Sequence, residues 1–144
     1  NHYQKKIALQ KLNFILSKLK QKSKICIETD IAPKNLNIIL RQKDLKGLGL
    51  LIDIGNIKAN GFDLSDYINN FSDRIYGVHI KYRKVNCGKS EILPKKFKEL
   101  EILKNNINNL NNLKDITFQT YRSENNFIND MKKSIINFNE IFYK

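Results

Sequence analysis

The chain has 144 residues and a formal net charge of +12, because 26 lysines and arginines outnumber 14 aspartates and glutamates. A hydrophobic fraction of 41% is enough for one α/β domain over residues 1–144, and no apolar run approaches the roughly 18 residues of a membrane span. Two cysteines without a CxxC spacing argue against a disulfide scaffold or a zinc ribbon, so we expect a cytoplasmic protein.

The positive charge is mostly lysine, spread along every predicted helix beside asparagine-rich runs such as INNLNNLK. A nucleic-acid surface is typically marked by an arginine-rich stripe or by aromatic residues interleaved with basic ones, and the sequence has neither. We therefore interpret the charge as a solvated surface and do not expect a nucleic-acid partner.

Predicted helices and strands alternate along the chain. The first helix is predicted from Ile7 to Leu19 by apolar residues at helical spacing. Later helix boundaries are marked by proline, glycine and capping residues: Pro33 begins a helix that stops before Gly47, Asp63 caps the next, Pro94 begins another and Ser123 caps the last. Between the helices lie four short apolar runs that predict strands: ICIE, LLIDIGN, YGVHIK and ITFQTYR.

Each predicted strand ends in a side chain that can bind a metal ion: Glu28, Asp53, His79 and Gln119, separated by 25, 26 and 40 residues. The first two spacings fit one strand plus one helix, and a repeated βα unit builds a parallel sheet or barrel. The C-terminal ends of such strands lie at one edge. These four residues are therefore expected to converge on one divalent cation.

Alternation along the strands separates two different faces. The face of the four strand-end residues otherwise carries mostly small side chains: Cys26, Gly49, Leu51, Gly77 and Thr117. The opposite face is bulky and apolar: Ile25, Ile27, Leu50, Ile52, Tyr76, Val78, Ile80, Ile116 and Phe118. A barrel with its helices outside favours this split, whereas a flat doubly wound sheet should be bulky on both faces.

A closed (β/α)8 barrel takes roughly 250 residues, and this chain has 144 residues with four predicted strands and begins with Asn1. The predicted fold class is therefore the C-terminal half of a TIM barrel, with four parallel strands in sequential order and helices on one side. Such a half-barrel has open edges, so we expect it to pair with its missing N-terminal half or with a second copy.

The stretch LLIDIGNIKANGFDLSDYINNFSDRIYGVHIKYRK and the later TFQTYR carry the elements D-x-G-N, R-I-x-x-V-H-x-K and Q-x-x-R in order. Together they resemble the second half of the xylose-isomerase-like TIM-barrel superfamily of sugar and sugar-phosphate isomerases and epimerases. The resemblance covers nearly the whole chain from Ile25 to the last helix. It implies proton transfer next to a carbonyl, through an enediolate that a divalent metal stabilises.

Carried onto this chain, the resemblance implies metal ligands at Glu28, Asp53, His79 and Gln119, with Glu28 also acting as the catalytic base. Hard oxygen ligands with one imidazole suit Mn²⁺ or Mg²⁺, and Zn²⁺ is possible. An amide cannot exchange protons near neutral pH, so Gln119 departs from the two-base pattern of the epimerases.

Four further residues are expected to contact a sugar or sugar-phosphate substrate: Asn56, Lys81, Arg83 and Arg122. Asn56 stands where many relatives carry a second histidine, and Lys81 matches the lysine of H-x-K-D. The following aspartate is replaced by Tyr82, and the glycine-rich turn before the seventh helix is absent. The guanidinium groups of Arg83 and Arg122, if they lie at the strand ends, suit a phosphate or carboxylate of the substrate.

Every one of these residues also has a purely structural interpretation. Asp53 could cap the turn that follows it, Glu28 could be an acid paired with lysine, and the arginines could form salt bridges. Two other functions also stay open. One is a non-catalytic half-barrel remnant, and the less favoured one is a DNA-cleaving AP-endonuclease, which needs a histidine where Asn56 stands.

Overall fold

The computed structural model describes residues 2–18, 24–42, 45, 47–119 and 126–143. Its strands are β1 (Cys26–Glu28), β2 (Gly49–Asp53), β3 (Ile75–Ile80), β4 (Tyr82–Arg83), β5 (Ser90–Glu91) and β6 (Asp115–Phe118). Its α-helices are α1 (His2–Lys18), α2 (Pro33–Leu40), α3 (Ile54–Ala59), α4 (Leu64–Phe71), α5 (Lys98–Asn106) and α6 (Phe127–Phe142), with 3-10 turns at Ser72–Arg74 and Ile107–Asn109. Among these described helices none is long and apolar enough to span a membrane.

The sheet has four strands in the order β1-β2-β3-β6, and every neighbouring pair is parallel. Parallel neighbours need a crossover, and helices α2 to α5 lie in the connections between them. The predicted α/β class, the four strands, their direction and their sequential order are therefore confirmed. The short antiparallel hairpin of β4 and β5, which follows β3, was not predicted.

The apolar core lies against one face of this sheet. Leu50, Ile52, Val78 and Ile80 are at most 3% exposed and belong to one cluster with side chains from α2, α4, α5 and α6. Burying this face removes bulky aliphatic and aromatic groups from water, which is the main force that holds helices on a sheet. The opposite face, which we call the polar face, carries the strand-end residues.

Tyr76 lies on the polar face, so its prediction for the apolar face is wrong. The register between β2 and β3 shifts between Leu50 and Leu51, which pair with Ile75 and Gly77 and leave Tyr76 as an extra residue. Such a bulge turns the side chains that precede it to the other face. The fully buried Ile75 therefore takes the core position, and the Tyr76 ring lies beside Gly49.

The helix boundaries agree with the sequence only in part. Pro33 begins α2, and the carboxylate of Asp63 accepts a 2.8 Å hydrogen bond from the backbone N–H of Ser65 at the start of α4. The predicted start at Pro94 is wrong, because α5 begins at Lys98. The backbone before it is bonded to α6 instead: the Leu93 N–H donates to Oγ of Ser134, and Asn137 donates to the Leu93 carbonyl. Ser123 lies outside the described residues.

Candidate metal centre

Three of the four strand-end residues meet on the polar face. Asp53 and His79 are direct register partners at the ends of β2 and β3, so their side chains project at the same height. Glu28 pairs with Leu51 on the other side of β2, which places it one pleat lower. Its longer side chain offsets that step, because a glutamate carboxylate extends one methylene further from the backbone than an aspartate carboxylate.

The ligand atoms of Glu28, Asp53 and His79 lie within 4.8 Å of one another. Nδ1 of His79 lies 3.4 Å from Oε2 of Glu28. Two oxygen ligands on opposite sides of a magnesium ion are ~4.2 Å apart, from a bond length of about 2.1 Å. The group is thus close to the size of a first coordination shell.

Asp53 is the most buried member, with its side chain 1% exposed. Its Oδ1 accepts a 2.8 Å hydrogen bond from the backbone N–H of Asn56, so Asp53 caps α3 as the structural interpretation predicted. Its Oδ2 lies 2.7 Å from Nζ of Lys81. The carboxylate is therefore both a helix cap and a member of the candidate metal centre.

Two atoms of the cluster lack hydrogen-bond partners among the described residues. They are Oδ2 of Asp53 and Nδ1 of His79, and both are buried. The nearby Lys81 ammonium attracts Oδ2 by charge, but its approach does not have the geometry of a hydrogen bond. Buried polar atoms normally have a partner. A cation that accepts lone pairs from an imidazole and a carboxylate would satisfy both atoms at once.

Lys81 reaches the cluster over the beginning of α3. A Cβ atom at Gly55 would lie 2.5 Å from Cγ of Lys81 and 2.7 Å from its carbonyl oxygen, so glycine is needed for this approach. The Lys81 ammonium also donates a 2.9 Å hydrogen bond to Oε1 of Gln119. Gln119 is therefore linked to Asp53 through Lys81, and the amide oxygen that was predicted to coordinate the ion accepts a hydrogen bond from that lysine.

Asn56 and Arg83 form a second layer beside Glu28. The Nδ2 group of Asn56 makes a long, 3.5 Å hydrogen bond to Oε1 of Glu28, and its Oδ1 accepts from Nη1 of Arg83. Arg83 also donates to the backbone carbonyl of Cys87 through Nε at 3.0 Å and Nη2 at 2.8 Å. Both residues predicted to bind substrate thus orient neighbouring groups in this structure.

Further polar groups lie lower on the polar face. Alternation along the strands predicted Cys26 and Thr117 there, whereas Lys24, Tyr76 and Asp115 were missed. The ammonium of Lys24 lies over the ring of Tyr76, 4.6 Å from the ring centre. Asp115 accepts a hydrogen bond from the hydroxyl of Thr117. The pKa of the Cys26 thiol is raised, mainly by burial, with a smaller upward effect of Asp115 and an opposing effect of Lys24. Asp115 could have been found, because counting back in twos from Gln119 places it on the same face.

The structure brings together every sequence-predicted site residue except Arg122, which lies outside the described residues. The roles assigned to them in metal, base and substrate binding stay predictions. Comparison of the chain with protein-family models, with curated proteins and with solved structures found no match.

Proposed function

We propose that this chain carries the metal-binding half of a divalent-metal-dependent sugar or sugar-phosphate isomerase or epimerase. The observation that carries the proposal is the convergence of Glu28, Asp53 and His79 within 4.8 Å at the ends of three successive parallel strands. Active sites of α/β folds lie at that end of the sheet. The resemblance in sequence names the same three residues independently of the coordinates.

The donor set fits a hard or borderline divalent cation. Two carboxylates and one imidazole suit Mn²⁺ or Mg²⁺, and they also suit Zn²⁺. Gln119 could add an amide oxygen if Lys81 releases it. When bound, such an ion would supply positive charge next to the substrate oxygens, which stabilises negative charge that develops during proton transfer.

The surroundings support Glu28 as the base that removes a proton from substrate carbon. Its side chain is 34% exposed, so its oxygens are open to a bound molecule. Asp53 is unsuited to this role, because its carboxylate is buried, caps α3 and faces Lys81. Both acids can thus hold the ion, but only Glu28 is placed for proton transfer as well. The Asn56 amide holds Oε1 of Glu28, which orients the carboxylate for that task.

The half-barrel is part of the same proposal. The four-stranded sheet has β1 and β6 at its edges among the described residues, and its polar face holds charged groups rather than apolar core. The N-terminal half of a barrel, or a second copy of this chain, would close the edges and cover that face. Light scattering during size-exclusion chromatography should then show a dimer, or a complex when the other half is supplied.

The function can be tested without knowing the substrate. The chain, assembled as the dimer or complex that completes the barrel, is incubated with Mn²⁺ in deuterium oxide with free ketopentoses, ketohexoses and their phosphates, and deuterium next to the carbonyl is followed by NMR. We expect exchange with at least one sugar and its loss in Glu28→Gln. The matched control is Glu101→Gln, which removes an exposed carboxylate of α5 far along the chain from the centre.

Absence of exchange with every sugar, or equal exchange in Glu28→Gln, would contradict the enzymatic proposal. Metal binding without any exchange would instead support a non-catalytic half-barrel remnant that has kept its ion site.

A further inference from the structure

We propose that Lys81 is an internal cation that competes with the divalent ion for the candidate metal centre and thereby sets its affinity. The inference rests on the proposed metal centre and adds a regulatory element to it. Nothing in the sequence pattern requires this role, since Lys81 was expected to contact substrate.

The position of the ammonium carries the inference. Nζ of Lys81 lies 2.7 Å from Oδ2 of Asp53 and 2.9 Å from Oε1 of Gln119, so it contacts two of the four predicted ligands. The other carboxylate oxygen of Asp53 is already bound by the Asn56 N–H. Oδ2 is therefore the Asp53 atom for which the Lys81 ammonium and the divalent ion compete.

Electrostatics make the competition strong. The Lys81 side chain is 14% exposed and that of Asp53 is 1% exposed, so water screens their interaction only weakly. A divalent ion bound to Oδ2 would contact the same oxygen atom as the Lys81 ammonium, so the two positive charges would lie only a few Å apart. Repulsion between charges a few Å apart at a partly buried site is enough to change a binding constant by roughly tenfold or more.

The structure also provides a second anchor for the displaced lysine. Oε1 of Gln119 accepts a hydrogen bond from Lys81 independently of Asp53, and Gly55 leaves room for the aliphatic stem. The ammonium can thus give up Asp53 without losing every partner. Before the ion binds, the contact between Lys81 and Asp53 gives the buried carboxylate its counter-charge, because an unpaired buried charge is costly.

The test measures Mn²⁺ affinity by calorimetry on the wild-type chain and on three variants. Lys81→Met removes the charge and keeps most of the stem, and Lys81→Arg keeps the charge. Lys58→Met is the matched control, because it breaks another half-buried ion pair, Lys58 with Glu99 at 3.1 Å, and changes the net charge equally. We expect Lys81→Met to bind Mn²⁺ roughly tenfold more tightly than the wild type. Lys81→Arg and Lys58→Met should both bind Mn²⁺ with the affinity of the wild type.

Thermal unfolding gives a second readout that a purely structural lysine would not produce. Without metal, Lys81→Met should melt below the wild type, because Asp53 loses its counter-charge. Saturating Mn²⁺ should raise its melting temperature more than that of the wild type, as tighter binding stabilises the native state more.

The outcomes separate this inference from the function on which it rests. If the wild type binds Mn²⁺ and Lys81→Met binds it equally or more weakly while remaining folded, the competition is overturned and the metal centre stands. If only Lys81→Met binds Mn²⁺, the competition is supported in its strongest form, because Lys81 then prevents the ion from binding to the wild-type centre. If no variant binds, the metal centre itself is wrong and the inference falls with it.

Discussion

Nδ1 of His79 lies 3.4 Å from Oε2 of Glu28, although the whole of β2 separates the strands that carry them. Neighbouring strands lie about 4.8 Å apart, so the backbones of β1 and β3 are roughly 10 Å apart. The two side chains therefore reach towards each other across β2, where Asp53 completes the group. Side chains from three separate segments thus share one small volume.

Replacing His79 with alanine should weaken Mn²⁺ binding by roughly tenfold or more, because it removes the nitrogen ligand of a site that has few donors. His2→Ala is the control, since it deletes the only other histidine of the chain, which lies in α1. Calorimetric titration of both variants with manganese measures the difference. Equal affinities of the two variants would contradict the role of His79 as a ligand.

Replacing Asp53 with alanine should destabilise the protein more than replacing Asp63. Both carboxylates cap helices, and loss of a cap typically costs ~1 kcal/mol. Asp53→Ala also leaves the partly buried Lys81 ammonium without its carboxylate, so we expect a total loss of ~2–4 kcal/mol in the free energy of unfolding. Asp63 is an exposed cap and serves as the comparison. Urea denaturation measures both losses, and equal values would refute the coupling of Asp53 to Lys81.

Gly55→Ala should destabilise the fold, although alanine usually favours a helix over glycine by ~1 kcal/mol. The new methyl group would meet the Lys81 side chain at 2.5 Å and its backbone carbonyl at 2.7 Å. Overpacking of this kind costs ~1–3 kcal/mol, so the sign of the effect should reverse. The control is Gly88→Ala, since nothing lies within 4 Å of its added Cβ. Stabilisation by Gly55→Ala would show that Lys81 does not pass over α3.

Alkaline pH should destabilise the wild type through Tyr67. Burial, with a smaller effect of Asp30, raises the pKa of this phenol to about 12, against about 10 in an unfolded chain. The native state therefore keeps a proton that the unfolded state releases. The contribution of Tyr67 is fully present below pH ~10 and is lost as the pH rises towards ~12, a change of ~2 kcal/mol.

Urea denaturation at about pH 9 and about pH 11.5 measures that loss. Tyr67→Phe should flatten this part of the pH dependence, and it should also lower stability at neutral pH, because it removes the 2.8 Å hydrogen bond from the phenol to the Ile31 carbonyl. Tyr143→Phe is the matched control, because that ring is 77% exposed. An unchanged alkaline slope in Tyr67→Phe would exclude Tyr67 as its source.

Much of the fold follows from local patterns in the sequence. Strand segments with period-two alternation and helical segments with period 3.6 place apolar groups on one side of each element. A strand buried on one face tolerates no slip of one residue, because a slip would exchange the two faces. For this reason the shared face of Glu28, Asp53 and His79 could be predicted, and the repeated strand–helix unit predicted the order of the four parallel strands. The capping residues Pro33 and Asp63 could be predicted for the same local reason.

Only the tertiary structure decided the contacts that give the site its character. Lys81 and Gln119 are 38 residues apart in the chain, and Asn56 and Glu28 are 28 apart, so no local pattern relates them. The bulge that moves Tyr76 to the polar face depends on pairing with β2. The segment before α5, which begins at Lys98, is hydrogen-bonded to α6 at Leu93, and this contact joins residues 41 positions apart. Side-chain types and alternation are properties of one segment, whereas a lysine placed against a particular carboxylate depends on how separate segments pack.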